Sequence, residues 1–137
     1  MKKINQSIRL VFASICCVLL FYGCTVSPTA DQLAAADCGP RPSDSDAEQL
    51  IKSWMDANLK DPMSAQYQFL PLKKDCYLLN GMTRYYAWSK GTLVNAKNSY
   101  GGYTGSQPYI FYFRGNEITL YATPDGRMFD KTGTRAN

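Results

Sequence analysis

Five cysteines and no histidine set the chemistry open to this chain. Without imidazole, the usual general base near neutral pH and the commonest metal ligand are both missing. Ser-His-Asp and Cys-His nucleophilic sites are therefore excluded. Paired carboxylates remain, and Asp125 and Asp130 stand close in sequence. Both fall in a turn-rich tail, where solvated carboxylates are the ordinary outcome, so no catalytic residue is assigned and an enzyme is not expected. Cys38 and Cys76 are candidates for a disulfide. In an oxidising compartment that bridge would close a long loop and stabilise a small domain by about 4 kcal/mol on the chain-entropy argument. The alternative is two unpaired thiols, because Cys38 adjoins a segment read as flexible. Two cysteines without histidine do not fill a zinc ligand set, so no metal and no cofactor are expected.

A second constellation is the candidate binding loop that contains Asn95, Lys97, Asn98, Tyr100, Gly101, Gly102, Tyr103 and Gly105. Asn and Gly tolerate positive φ, and the consecutive amides of such a loop can form an anion-binding nest. Lys97 would add charge, and Tyr100 and Tyr103 could stack on a sugar or pack on a partner. The plainer alternative is a long hairpin whose glycines pack close to the next strand, with Asn95 and Asn98 bonding the loop backbone. No Gly-Lys-Ser/Thr follows the glycines and no dinucleotide fingerprint is present.

The start of the chain carries a third chemistry. Lys2, Lys3 and Arg9 form a basic head, residues 10–22 are an unbroken apolar run, and Gly23-Cys24 follows. That order is the grammar of a secretory signal, and the run is shorter than the ~20 residues that span a bilayer. Gly23-Cys24 resembles a bacterial lipobox, in which the cysteine thiol takes a diacylglycerol after cleavage. Phe21 and Tyr22 stand where lipoboxes usually carry Leu and a small residue, with Leu20 one step further back. The expectation is a signal over 1–23 and lipidation of Cys24. The alternative is a plain secretory signal cut later, after Ala30 or Ala36. By resemblance to Gram-negative sorting, Thr25 after the cysteine favours the outer membrane, facing the periplasm. The bilayer is then a partner through acylated Cys24, each buried lipid CH₂ contributing about 0.8 kcal/mol.

Those residues need a frame. The first 23 residues hold three basic side chains and no acid, which leaves twelve basic against eleven acidic residues and no nucleic-acid footprint. Residues 24–44, rich in Ala, Pro, Ser, Thr and Asp, read as a flexible tether, and 45–137 as a single α+β domain. Ser45-Asp46-Ala47-Glu48 reads as a capping box. Ala47, Leu50, Ile51, Trp54, Met55, Asn58 and Leu59 then share one helical face. Pro62 stops the helix, and Asp61-Pro62 opens a short turn. Period-two patterns follow: 67–72, with Pro71 marking an edge or a stop and 76–79 extending it or forming a second strand; 83–96, with Gly91 suggesting a bulge or a bend; 108–114, with Tyr109, Phe111 and Phe113 on one face; and 117–122, with Ile118 and Leu120 together. Asn80-Gly81 reads as a hairpin turn, and 127–129 as a frayed end or short strand. The expected fold is one N-terminal amphipathic helix packed on an antiparallel meander of about four strands, a two-layer sandwich or roll.

Asp61-Pro62-Met63-Ser64-Ala65-Gln66 and Asn95-Ala96-Lys97-Asn98-Ser99-Tyr100-Gly101-Gly102-Tyr103-Thr104-Gly105 together resemble a family of small, uncharacterised bacterial exported proteins and lipoproteins. The resemblance covers residues 48–113. It implies an exported setting and the same domain boundaries, and no activity. Relatives carry Cys-Gly where this chain has Lys90-Gly91, which leaves open whether Cys76 has the partner it would have there. Three functions are weighed: a non-enzymatic envelope module that binds a protein or polysaccharide through its aromatic, Gly-rich face; an inhibitor or exclusion lipoprotein that plugs a hydrolase or phage component with the 99–105 loop; and a weak envelope hydrolase. A protruding loop favours the plug and a buried one a structural role. Tyr85, Tyr86, Tyr100, Tyr103, Tyr109, Tyr112 and Tyr121 crowd the C-terminal half. A sheet that buries one face should expose several of them.

Overall fold

The structure, a computed structural model, describes residues 27–79 and 83–136. The signal, Cys24 and the Asn80-Gly81 turn lie outside the described residues. Among the described residues, two helices, a 3₁₀ turn and six strands follow in order: α1 (Ala30–Ala35), α2 (Asp44–Asn58), the turn Pro62–Ser64, β1 (Gln66–Phe69), β2 (Lys73–Leu79), β3 (Thr83–Asn95), β4 (Gln107–Phe113), β5 (Ile118–Ala122) and β6 (Met128–Asp130).

Ser43 caps α2, its Oγ accepting the Asp46 N–H at 3.0 Å. The helix therefore starts before the expected Ser45 box, and Ser45 Oγ instead bonds Ser43 Oγ at 2.9 Å. Asp44 and Asp46 in the first turn suit the positive end of the helix dipole. Ala47, Ile51 and Met55 are the fully buried stripe. Burying a side chain such as Ile51 or Met55 contributes about 1.5–3 kcal/mol.

The sheet is antiparallel throughout, in the order β1-β3-β4-β5-β6, with β2 also on β3. β1 and β2 lie end to end along the same edge of β3. Phe69 faces Thr92 and Lys73 faces Ser89, so residues 70–72 span the two residues Lys90 and Gly91. Pro71 has no N–H for the ladder, and the strand breaks there. This break and the short β6 make six strands, where about four were expected. β3 keeps continuous register with β4 through Gly91, and on its other edge the extra residue belongs to 70–72, so β3 itself is not bulged there. Gly91 instead makes room for Leu70, whose Cδ1 would lie 2.9 Å from an added Cβ. The register shift falls between Tyr112 and Phe113. It sends Ile118 and Leu120 to different clusters, not to the shared face expected for them.

The α2 side of the sheet packs Val94, Phe111, Phe113 and Tyr121 against the helix, with the Trp54 ring 5.3 Å from that of Phe111 and 4.5 Å from that of Tyr121. The opposite face has its own cluster of Tyr77, Ala87, Tyr112 and Leu120. The sheet thus buries side chains on both faces, and of the seven C-terminal tyrosines only Tyr100 and Tyr103 are exposed.

α2 is not the first helix. Thr29 caps α1 in a reciprocal box with Gln32. The following segment, read as tether, lies on the domain: Cys38 and Pro42 are buried, Trp88 Nε1 donates to Gly39 O at 3.0 Å, and Gly115 N–H donates to Pro40 O at 2.8 Å. Its backbone carbonyls find partners on the sheet, which is what a flexible linker lacks.

Candidate functional site

The two sequence motifs meet at one end of the molecule. Pro62 at the first position sets the 3₁₀ turn, and Ser64 Oγ donates to Asp61 O at 2.9 Å; Asp61 makes no side-chain cap. Ser64 is also the seat of the loop between β3 and β4. Its Oγ accepts the Lys97 N–H at 2.9 Å, and its carbonyl accepts the Tyr103 hydroxyl at 3.3 Å. Lys97 and Tyr103 face each other as an isolated antiparallel bridge, with Lys97 Nζ 5.6 Å from the centre of the Tyr103 ring. Lys60, just beyond α2, donates to Ser99 Oγ at 3.1 Å.

Within the loop, Asn98 organises the tip. Its Oδ1 accepts the N–H groups of Tyr100 at 2.9 Å and Gly102 at 3.2 Å, while its main chain exchanges bonds with Gly101 and Gly102. Gly101 takes φ 78° and Gly105 φ 87°, which side-chain-bearing residues rarely adopt. The expected amide nest is therefore closed by the carbonyl of Asn98 itself, so those amides are spent internally. Asn95 does not share this role: its Oδ1 is buried without a hydrogen-bond partner.

What this construction presents outward is apolar. Tyr100 and Met63 are each 95% exposed and Tyr103 48%. Met63 was not singled out in the sequence, although its place between Pro62 and Ser64 at a turn apex was the available signal. Asn58, Lys60, Val94, Lys97, Asn98 and Thr104 line a cavity of about 230 Å³ beside the loop. It can offer two ammonium groups and amide edges next to an aromatic surface.

The other predicted residues lie elsewhere. Cys38 and Cys76 are free thiols, the first buried and the second partly so. Asp125 and Asp130 each close a local turn. The Arg127 guanidinium holds the Asp125 carboxyl well below the usual carboxylate range, and the Thr132 hydroxyl lowers that of Asp130. Both stay ionised near neutral pH, so neither has a proton to give.

A groove of about 470 Å³ crosses the sheet face away from α2, lined by Leu70, Pro71, Leu93 and Ile110, with Asp75 and Ser89 also facing it. Ser89 Oγ donates to Asp75 Oδ2 at 3.0 Å. Sequence reading missed this groove because its walls come from three separate strands and the β1–β2 break.

Among the described residues, no helix is long and apolar enough to cross a membrane, and no cluster of three His, Cys, Asp or Glu could hold a metal ion. No protein-family model, curated protein or solved structure matches the chain.

Proposed function

We propose that this chain is a lipid-anchored protein of the bacterial envelope, held at the outer membrane through acylated Cys24, whose domain is a non-enzymatic binding module. It engages an envelope protein or polysaccharide through the end that presents Met63, Tyr100 and Tyr103. The observation that carries this reading is Tyr100, almost wholly exposed on a loop whose backbone is held by its own hydrogen bonds. An isolated apolar side chain on a surface is ordinary. Three on adjoining segments, two of them tyrosines beside Lys60 and Lys97, form the kind of surface that stacks on sugar rings or protein side chains at low ordering cost. The support for the anchor is the apolar run 10–22 ended by Gly23-Cys24.

Crosslinked capture from bacterial envelope extract tests the binding role. The Tyr100→Ala/Tyr103→Ala variant should keep the wild-type melting temperature and lose the captured partner; undiminished capture would overturn the role of this loop. Mass spectrometry of the wild-type chain and of Cys24→Ser tests the anchor, since a lipid mass that persists in Cys24→Ser rules it out. The exposed run 98–108 also favours a second reading, an inhibitor or exclusion lipoprotein that inserts this loop into a hydrolase or a phage component. Inhibition of an envelope hydrolase by the purified domain, lost in the same double variant, would select that reading.

A further inference from the structure

Segment 36–39 crosses the α2 side of the sheet directly over the residues that surround Cys76. Lys74 precedes Cys76 by two residues on the same face, and its Nζ donates to Ala34 O at 2.7 Å and Ala36 O at 3.1 Å. Trp88, opposite Lys74 in register, donates to Gly39 O. Arg114 reaches the Asp37 carboxylate at 3.3 Å and the carbonyl of Tyr86 at 3.5 Å, and Tyr86 is the register partner of Cys76. Residues on either side of Cys38 are therefore fastened to the nearest neighbours of Cys76. Cys38 itself is only 2% exposed. The contacts of Lys74, Trp88 and Arg114 thus hold the arm over the face of β2 that carries Cys76, and the Cys38 thiol bonds the main chain of Asp75, the residue before Cys76.

We infer that Cys38 and Cys76 form an intramolecular disulfide that fixes the arm after α1 to the edge strand β2. Sequence left this pairing open; the arrangement of the arm also assigns the order of events. Cys76 is the more accessible thiol. Its thiolate attacks a low-molecular-weight disulfide, forming a mixed disulfide and releasing one thiol. The Cys38 thiolate then attacks Cys76 Sγ and displaces the second thiol. Two protein thiols are oxidised to one disulfide, one external disulfide is reduced to two thiols, and the protons pass to the released thiolates. Burial pushes both thiols up from their ordinary values, so the reaction quickens as pH rises. The supply of oxidant rests on the exported setting proposed above, whereas the placement of the arm over β2 does not. Once formed, the bond passes force from the preceding chain to β2 at Cys38, sparing the hydrogen bonds of Gly39 and Pro40 that follow it.

The full chain carrying Cys16→Ser, Cys17→Ser and Cys24→Ser, incubated folded with oxidised glutathione, provides the test. Intact mass should show loss of two hydrogens, and a non-reducing peptide map should join the Cys38 and Cys76 peptides. The oxidised form should melt at a higher temperature than the reduced one. Adding Cys38→Ser should stop the reaction at a glutathione adduct on Cys76, while adding Cys76→Ser should leave Cys38 unreacted until the chain is unfolded. If the bridge forms in denaturant and not in the folded chain, or if Cys38 is the thiol first modified, the inference fails. The thiol state in whole cells then reports separately on the compartment.

Discussion

The main-chain N–H of Lys97 donates to Ser64 Oγ at 2.9 Å, across thirty-three residues of sequence. One hydroxyl thus fixes both the turn after α2, through Asp61 O, and the first residue of the exposed loop. The loop is positioned by a side chain that is not part of it.

Ser64→Ala should therefore loosen the loop more than it weakens the domain. The loss of a partly buried hydrogen bond costs about 1 kcal/mol. Hydrogen exchange at Lys97 and at the Asn98-bonded amides of Tyr100 and Gly102 should quicken, while β3 amides facing β2 stay protected. Equal exchange in the wild type and in Ser64→Ala would show that Asn98 alone holds the loop.

Lys90 supplies an asymmetric test. Lys90 is 2% exposed, and its ammonium meets Asp44 Oδ1 at 2.8 Å and Glu48 Oε1 at 3.2 Å, while those two carboxylates are partly solvated. Lys90→Met leaves solvated carboxylates behind and should be near neutral, within about 1 kcal/mol. Asp44→Ala/Glu48→Ala strands a buried cation and should lower the melting temperature by about 10 °C or more. The reverse ranking in thermal melts would show that an unpaired ammonium at Lys90 carries no large burial cost.

Two pH windows follow from burial and pairing. The Lys90 ammonium, with Arg41 second, lowers the carboxyl of Asp44 in the folded state. Its contribution is complete above the ordinary carboxylate value and disappears as pH falls below about 4. Asp44→Asn should flatten the acid limb of melting temperature against pH. At the other end, burial raises the Tyr112 phenol to about 12, and that of Tyr77 further. Folding then favours the protonated phenols, so stability falls as pH rises from about 10 through 12. Tyr112→Phe should move the alkaline unfolding midpoint upward, and an unchanged midpoint would remove Tyr112 from that transition.

Gly91 faces the side chain of Leu70, which is exposed enough to swing away. Gly91→Ala should thus be nearly neutral, because the gain of replacing a strand glycine, about 0.5–1 kcal/mol, offsets the shift of Leu70. Gly91→Val should cost more, and Leu70→Ala in the same chain should recover the difference, as read by urea denaturation. Without that recovery, the strain lies in the backbone of β3.

Much of the frame was legible because each face of an element carried one kind of residue. Ile51 and Met55 marked the helix stripe, and Phe111 and Phe113 marked the buried face of β4. Tyrosines defeated the same logic. Tyr77 and Tyr112 follow the strand period yet pack under a second cluster, since a phenol suits either a wet or a dry face. Lys90 was invisible for the opposite reason: a lysine in a strand reads as solvent-facing, and only the position of Asp44 and Glu48 in space accounts for its burial. The Thr29–Gln32 box was present in the sequence, but α1 has no buried residue and so no apolar period to draw attention to it. At the site, the exposed tyrosines were legible and the anchoring by Ser64 was not, because a hydrogen bond across thirty-three residues leaves no local pattern.

β3 is bordered by three of the other five strands: β1 and β2 on one edge and β4 on the other. During synthesis, β1 therefore lacks its native partner until residues 92–95 have emerged, and the surface under α2 is incomplete until β4 and β5 follow. The native partners of the early segments are thus all made after them.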